Sequence, residues 1–150
     1  MKEVYQCCRQ SREVLLVEDN PADARITLEA MKEAGVCDQI TVLQEGDETL
    51  QFLRRQGRFA KASLPDLILL DLNLPGKDGR EILAEIKKDP DLKQIPVIVL
   101  TTSQAEQDVA TAYELHANCY IVKPLSYERI LEAMKSVGEF WFGIAKLPAK

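Results

Sequence analysis

The sequence predicts an α/β fold of (βα)5 type: a doubly wound, five-stranded parallel sheet in a single domain. Three observations carry that prediction. Five short β-rich runs alternate with stretches of helical periodicity along the 150 residues. The runs at Val14–Val17, Asp66–Leu70 and Val97–Leu100 are continuously apolar, as befits strands covered on both faces. Four of the runs end on a residue of distinct chemistry: Glu18 and Asp19, Asp71, Thr101, and Lys123.

The elements follow in order. After Val14–Val17, Asn20 followed by Pro21 reads as an N-cap with proline at the first helical position. Ile26, Ala30, Met31 and Ala34 form the apolar stripe of that helix, and Gly35 stops it. Ile40–Leu43 is the second strand. Residues 47–55 place Leu50, Phe52 and Leu53 on a short helix ending near Gly57. Asp66–Leu70 is the third strand. Gly79 starts a helix with Ile82, Leu83 and Ile86 at helical spacing, and Asp89-Pro90 ends it. Pro96 precedes the fourth strand. Ser103-Gln104-Ala105-Glu106 reads as a capping box opening a helix through Val109, Ala112, Tyr113 and His116. His116 falls where that helix should close in a left-handed residue. Tyr120–Val122 is the fifth strand. Ser126 caps a last helix with apolar positions at Ile130, Leu131, Met134, Val137 and Trp141. Right-handed crossovers then put helices on both faces of the sheet.

In such sheets ligands sit beyond the carboxyl ends of the strands, near the switch in strand order. Glu18, Asp19, Asp71, Thr101 and Lys123 all reach that edge by position alone. Three crowded carboxylates raise one another's pKa unless a cation intervenes, and a hard ion such as magnesium suits oxygen ligands. The plainer alternative is three solvated loop acids with no shared site. A carboxylate nucleophile at Asp71 would form an acyl phosphate, with positioning and electrostatics providing the catalysis. Lys123 adds a second positive pole, and Thr101 donates from its hydroxyl. A cis bond before Pro124 is one way to aim the lysine inward.

Composition narrows the classes. The net charge of −5, without a basic cluster, argues against nucleic acid as the main partner. No apolar stretch is long enough to span a bilayer, and the first residues lack a secretory core, so a cytoplasmic location is expected. Cys7, Cys8, Cys37 and Cys119 show no C-x-x-C spacing, and the lone His116 offers little as a co-ligand, which leaves free thiols.

Taken together, Glu18-Asp19, Asp71, Pro75-Gly76 with Asp78-Gly79, Thr101 and Lys123-Pro124 resemble the receiver domain of two-component response regulators, which is flavodoxin-like. The spacings of 30 residues from Asp71 to Thr101 and 22 on to Lys123 match as well. The likeness covers residues 12–137, with residues 1–11 as an N-terminal tail and 138–150 as an extension of the last helix. It implies that Asp71 accepts a phosphoryl group from a sensor histidine kinase, in a self-catalysed, magnesium-dependent transfer followed by autodephosphorylation. Asp19, Asp71 and the Asn73 main-chain carbonyl would bind Mg2+, with Glu18 acting through water. Thr101 and Tyr120 match the family's switch pair, whose repacking changes the face made by the fourth helix, fifth strand and fifth helix. His116–Tyr120, Phe140-Trp141 and Leu147-Pro148 look like regulators that partner cyanobacterial phytochromes, so a phytochrome-like kinase is the expected donor. Cys119 and His116 stand where many receivers carry glycine, and Lys77 replaces a commonly apolar residue.

No output domain is expected after residue 150, so the phosphorylated form would act by docking. Phe140, Trp141 and Phe142 cannot all face one core stripe, and some should be exposed. A homodimer on that face is the expected assembly. The alternative function is a magnesium-dependent phosphohydrolase with an aspartyl nucleophile. Such enzymes commonly carry a second acid two residues later, where this chain has Asn73.

Overall fold

The computed structural model describes residues 11–124 and 126–149. Five parallel strands, β1 (Glu13–Val17), β2 (Gln39–Leu43), β3 (Leu67–Leu70), β4 (Val97–Thr101) and β5 (Cys119–Val122), form one sheet in the order β2-β1-β3-β4-β5. Five helices alternate with them: α1 (Pro21–Ala34), α2 (Gly46–Leu53), α3 (Gly79–Lys88), α4 (Glu106–Glu114) and α5 (Tyr127–Gly138). The predicted doubly wound (βα)5 architecture is the one found. Cys7, Cys8 and most of the predicted N-terminal tail lie outside the described residues.

Strand periodicity sorts the core into two layers. Leu15, Val17, Ile68, Leu70, Val97 and Val99 point to one face, where α2, α3 and α4 bring Leu50, Leu53, Ile82, Leu83, Ile86 and Ala112. Val14, Leu16, Leu67, Leu69, Ile98 and Leu100 point to the other, against Ala30 and Met31 of α1 and Met134 and Val137 of α5. The Val, Leu, Ile and Met side chains among these are almost fully buried, which is worth roughly 1.5–3 kcal/mol apiece.

The predicted caps at Asn20, Gly35 and Ser126 form. Asn20 Oδ1 accepts from Ala22 N and Asp23 N, Gly35 takes φ 64°, and Ser126 Oγ accepts from Arg129 N. His116 closes the turn after α4 with φ 71°. The capping box does not form. Ala105 is the N-cap of α4 without a side-chain bond; Ser103 lies before the helix, where its Oγ accepts from Ala105 N at 3.3 Å and donates to Asp108. Ile26 leaves the predicted stripe and lies 38% exposed on the wall of an open groove between α1 and α5. β3 begins at Leu67 rather than Asp66, whose carboxylate accepts from Glu13 N and so closes the strand edge. α5 runs on into a wider, π-type helical turn at Glu139–Ile144. No helix among the described residues is long and apolar enough to cross a membrane.

Candidate functional site

Parallel pairing delivers the chemistry-bearing residues to one edge. Val17 registers with Leu70, Leu70 with Val99, and Thr101 with Val122, so the next residues of β1, β3 and β5 emerge side by side near Thr101. The ladder continues past the strands: Asp71 N donates to Val17 O at 3.0 Å, and Lys123 N donates to Thr101 O at 2.7 Å. Glu18, Asp71 and Thr101 are buried there, and Asp19 is more open to solvent at the rim.

Lys123 Nζ stands among the acids. It donates to Asp71 Oδ2 at 2.9 Å, to Asp23 Oδ2 at 3.1 Å, and to Glu18 Oε2. The described peptide bonds are all trans, so the lysine reaches inward without a cis bond before Pro124. Asp71 Oδ1 accepts from Asn73 N at 3.0 Å, and the Asn73 amide lies 3.4 Å from Thr101 Oγ1. Tyr120 is half-buried against the α2–α3–α4 layer, and its hydroxyl donates to Ser103 O at 2.9 Å.

These contacts set the charges. Burial pushes Glu18 up to about 7, with Lys123 opposing and Asp71 adding to the rise. Burial would raise Asp71 too, but the Asn73 N–H, Lys123 and Glu18 outweigh it and hold Asp71 below the ordinary carboxylate range. Burial pulls Lys123 down, yet its bonds to Glu18 and Asp71 win and leave it raised. Asp71 is therefore an anion clamped by an ammonium.

Carboxylate oxygens of Glu18, Asp19 and Asp71 lie within 4.8 Å of one another. That is a hard-donor set of the kind a divalent cation takes, so the residues present fit such an ion.

The site also holds residues that reading the sequence missed. Asp23 bonds Lys123 from the first turn of α1; the cue available was an acid three residues after the Asn20 cap, on a helix starting at this edge. Arg80 of α3 and Asp108 of α4 form an ion pair at 2.6 Å, with no local pattern to announce it. Of the three aromatics expected at an interface, only Phe140 points outward, 50% exposed, whereas Trp141 and Phe142 pack against the α1–α5 layer.

Comparison with known proteins agrees with this geometry. The model of the response regulator receiver domain matches residues 14–135. Response regulator Rcp1 of a Synechocystis species is 47% identical over 136 residues, which is 91% of this chain and 92% of the relative. The crystal structure of the phosphorylated cyanobacterial phytochrome response regulator RcpA superposes with TM-score 0.89 at 48% identity, covering 93% of this chain and all of that one. The Mn2+-bound form of Rcp1 superposes with TM-score 0.84 at 47% identity, covering 92% of this chain and 99% of that one. A five-stranded parallel sheet with acids, a hydroxyl and an amine at one edge, joined to a match over most of its length, places the chain in the response regulator receiver family.

Proposed function

We propose that this chain is a cytoplasmic phosphoryl-accepting switch, with Asp71 as acceptor and the phosphohistidine of a phytochrome-type sensor kinase as donor. The observation that carries this reading is the Lys123 ammonium bonded to Asp71 inside a cluster of acids. Likeness to Rcp1 and to phosphorylated RcpA supports the choice of partner.

In this reading an Asp71 carboxylate oxygen forms the new bond to phosphorus as the donor's P–N bond breaks, and the imidazole nitrogen leaves with the bonding pair. Negative charge spreads over the equatorial oxygens of the transferred group. Lys123 holds Asp71 oriented and is placed to follow that charge. The Thr101 hydroxyl, buried beside Asn73, is placed to donate to a phosphoryl oxygen. Glu18, Asp19, Asp71 and the Asn73 carbonyl would hold Mg2+, Glu18 through water. A bound divalent cation supplies positive charge opposite the phosphoryl oxygens. Hydrolysis of the acyl phosphate resets the switch, and Asn73 and Ser103 flank the path of the attacking water. The phosphohydrolase alternative loses support at Asn73, whose amide neighbours Thr101 where a second acid would be needed.

The test is to incubate wild type and Asp71→Asn with acetyl phosphate and Mg2+ and weigh the intact proteins. A single magnesium-dependent phosphoryl adduct on wild type alone is the expected result. Wild type without an adduct sinks the proposal.

Signalling then runs through docking of a second copy on the α4–β5–α5 face and residues 138–150. Support comes from the exposed apolar side chains Tyr113, Val122, Phe140 and Ile144. Phe142 is a poor probe, since it packs inward with the Arg12 guanidinium 5.8 Å from its ring. Phe140→Glu should convert a dimer to a monomer in size-exclusion chromatography with light scattering. A wild type that stays monomeric, with and without the phosphoryl group, overturns the dimer.

A further inference from the structure

A chain of polar contacts links the start of α3 to the switch tyrosine without touching the acid cluster. Arg80 Nη1 donates to both carboxylate oxygens of Asp78 at 3.1 Å, and Asp78 itself caps α3 by accepting from Arg80 N at 2.9 Å. Arg80 Nη2 crosses to α4 and donates to Asp108 Oδ1 at 2.6 Å. The other oxygen of Asp108 accepts from Ser103 Oγ, also at 2.6 Å. Ser103 lies in the loop between β4 and α4, and its carbonyl accepts the Tyr120 hydroxyl at 2.9 Å. The two bonds to Asp108, at 2.6 Å each, are short and charge-assisted, the strong class.

We propose that Arg80, Asp108 and Ser103 form a latch that fixes the β4–α4 loop against the start of α3 and so keeps the Tyr120 ring inward before any phosphoryl group arrives. This deepens the switch reading above and rests on it. Asp108 is the central member because it alone joins the two helices to the loop. Two donors hold Asp108 at once: the Ser103 hydroxyl and the Arg80 guanidinium keep its carboxyl below its ordinary range. Without the latch, the Ser103 carbonyl is free to shift with the loop, and Tyr120 loses the acceptor that satisfies its hydroxyl in a half-buried place. The ring then samples an outward setting. In the switch reading the phosphorylated form carries the ring inward, so molecules that sample the outward setting must first return it, and the apparent rate of uptake falls. Arg80, Asp108 and Ser103 are thus positioning residues acting through Tyr120.

The test reads the ring directly. 3-Fluorotyrosine replaces the four tyrosines, and the Tyr120 resonance is assigned by its loss in Tyr120→Phe. Asp108→Ala should move that 19F resonance toward the solvent-exposed position in metal-free, unphosphorylated protein, and Arg80→Gln should move it part of the way. Asp108→Glu should restore it. Uptake from acetyl phosphate should slow about fivefold or more in Asp108→Ala. Arg80 and Asp108 are each about 30% exposed, so the variants should fold, as circular dichroism will show. If Asp108→Ala does not fold, Arg80→Gln decides alone. A Tyr120 resonance that stays put, or one that moves while uptake is unchanged, overturns the latch. Failure of wild type to take up phosphoryl groups instead overturns the function proposed above, and the ring measurement then decides the latch separately.

Discussion

Lys123 is the residue on which the site's charge balance turns. Its ammonium, with the side chain only 10% exposed, neutralises Glu18 and Asp71, whose side chains are 3% and 6% exposed. Removing one partner from such a buried set leaves uncompensated charge. Lys123→Met should therefore destabilise the metal-free protein by about 3 kcal/mol in urea denaturation, and added Mg2+ should recover part of the loss. Glu18 carries the pH dependence. Burial raises it to about 7, so between the ordinary glutamate range and that value the folded chain binds more protons than the unfolded one. Stability should then fall as pH rises through that window, by about 2 kcal/mol without metal. Asp71 is shifted the other way and acts only below its ordinary range, so it does not cancel the effect. Urea midpoints at about pH 5 and pH 7.5 check this, and Glu18→Gln should flatten the slope.

Element by element, the turn from β3 into α3 is the tightest part of the frame. A Cβ at Gly79 would lie 2.4 Å from Asp71 O and 2.6 Å from Leu72 Cα, both backbone atoms with nowhere to go. Gly79→Ala should cost about 3 kcal/mol in thermal or urea unfolding and weaken phosphoryl uptake, since the displaced backbone is that of Asp71. The opposite edge of the sheet is held by a different device. Lys87 of α3 donates to Lys93 O, Ile95 O and Asn118 Oδ1, while Asn118 Oδ1 also accepts from Val97 N. That ties α3 to the starts of β4 and β5. The helix caps at Asn20 and Ser126 were legible because one residue and its neighbour make each of them. The capping box at Ser103 failed because α4 opens at Glu106 with Ala105 as its cap, later than the box requires, and Ser103 Oγ accepts from Ala105 N instead.

For the whole molecule, the parallel sheet acts as a lever that brings distant residues to one point. Ion binding at that point should stabilise the entire fold by mass action. At a free Mg2+ concentration about 100 times its dissociation constant, unfolding should become about 2.7 kcal/mol harder. A rise in thermal midpoint with Mg2+ for wild type, absent in Asp19→Asn and Asp71→Asn, is the expected outcome. Equal rises in all three proteins would show that the ion binds elsewhere.

The order of apolar runs and helical patterns determined the (βα)5 fold by itself, because strand and helix periodicities are local properties of the chain. It determined the edge that Glu18, Asp19, Asp71, Thr101 and Lys123 share as well, since parallel strands leave their carboxyl ends no other place. Only the tertiary structure decided which acids the lysine touches, which of Phe140, Trp141 and Phe142 faces outward, and that Arg80 reaches Asp108 across two helices. Those outcomes depend on side chains 28 or more residues apart meeting at angles set by helix packing, and no spacing along the chain encodes such angles.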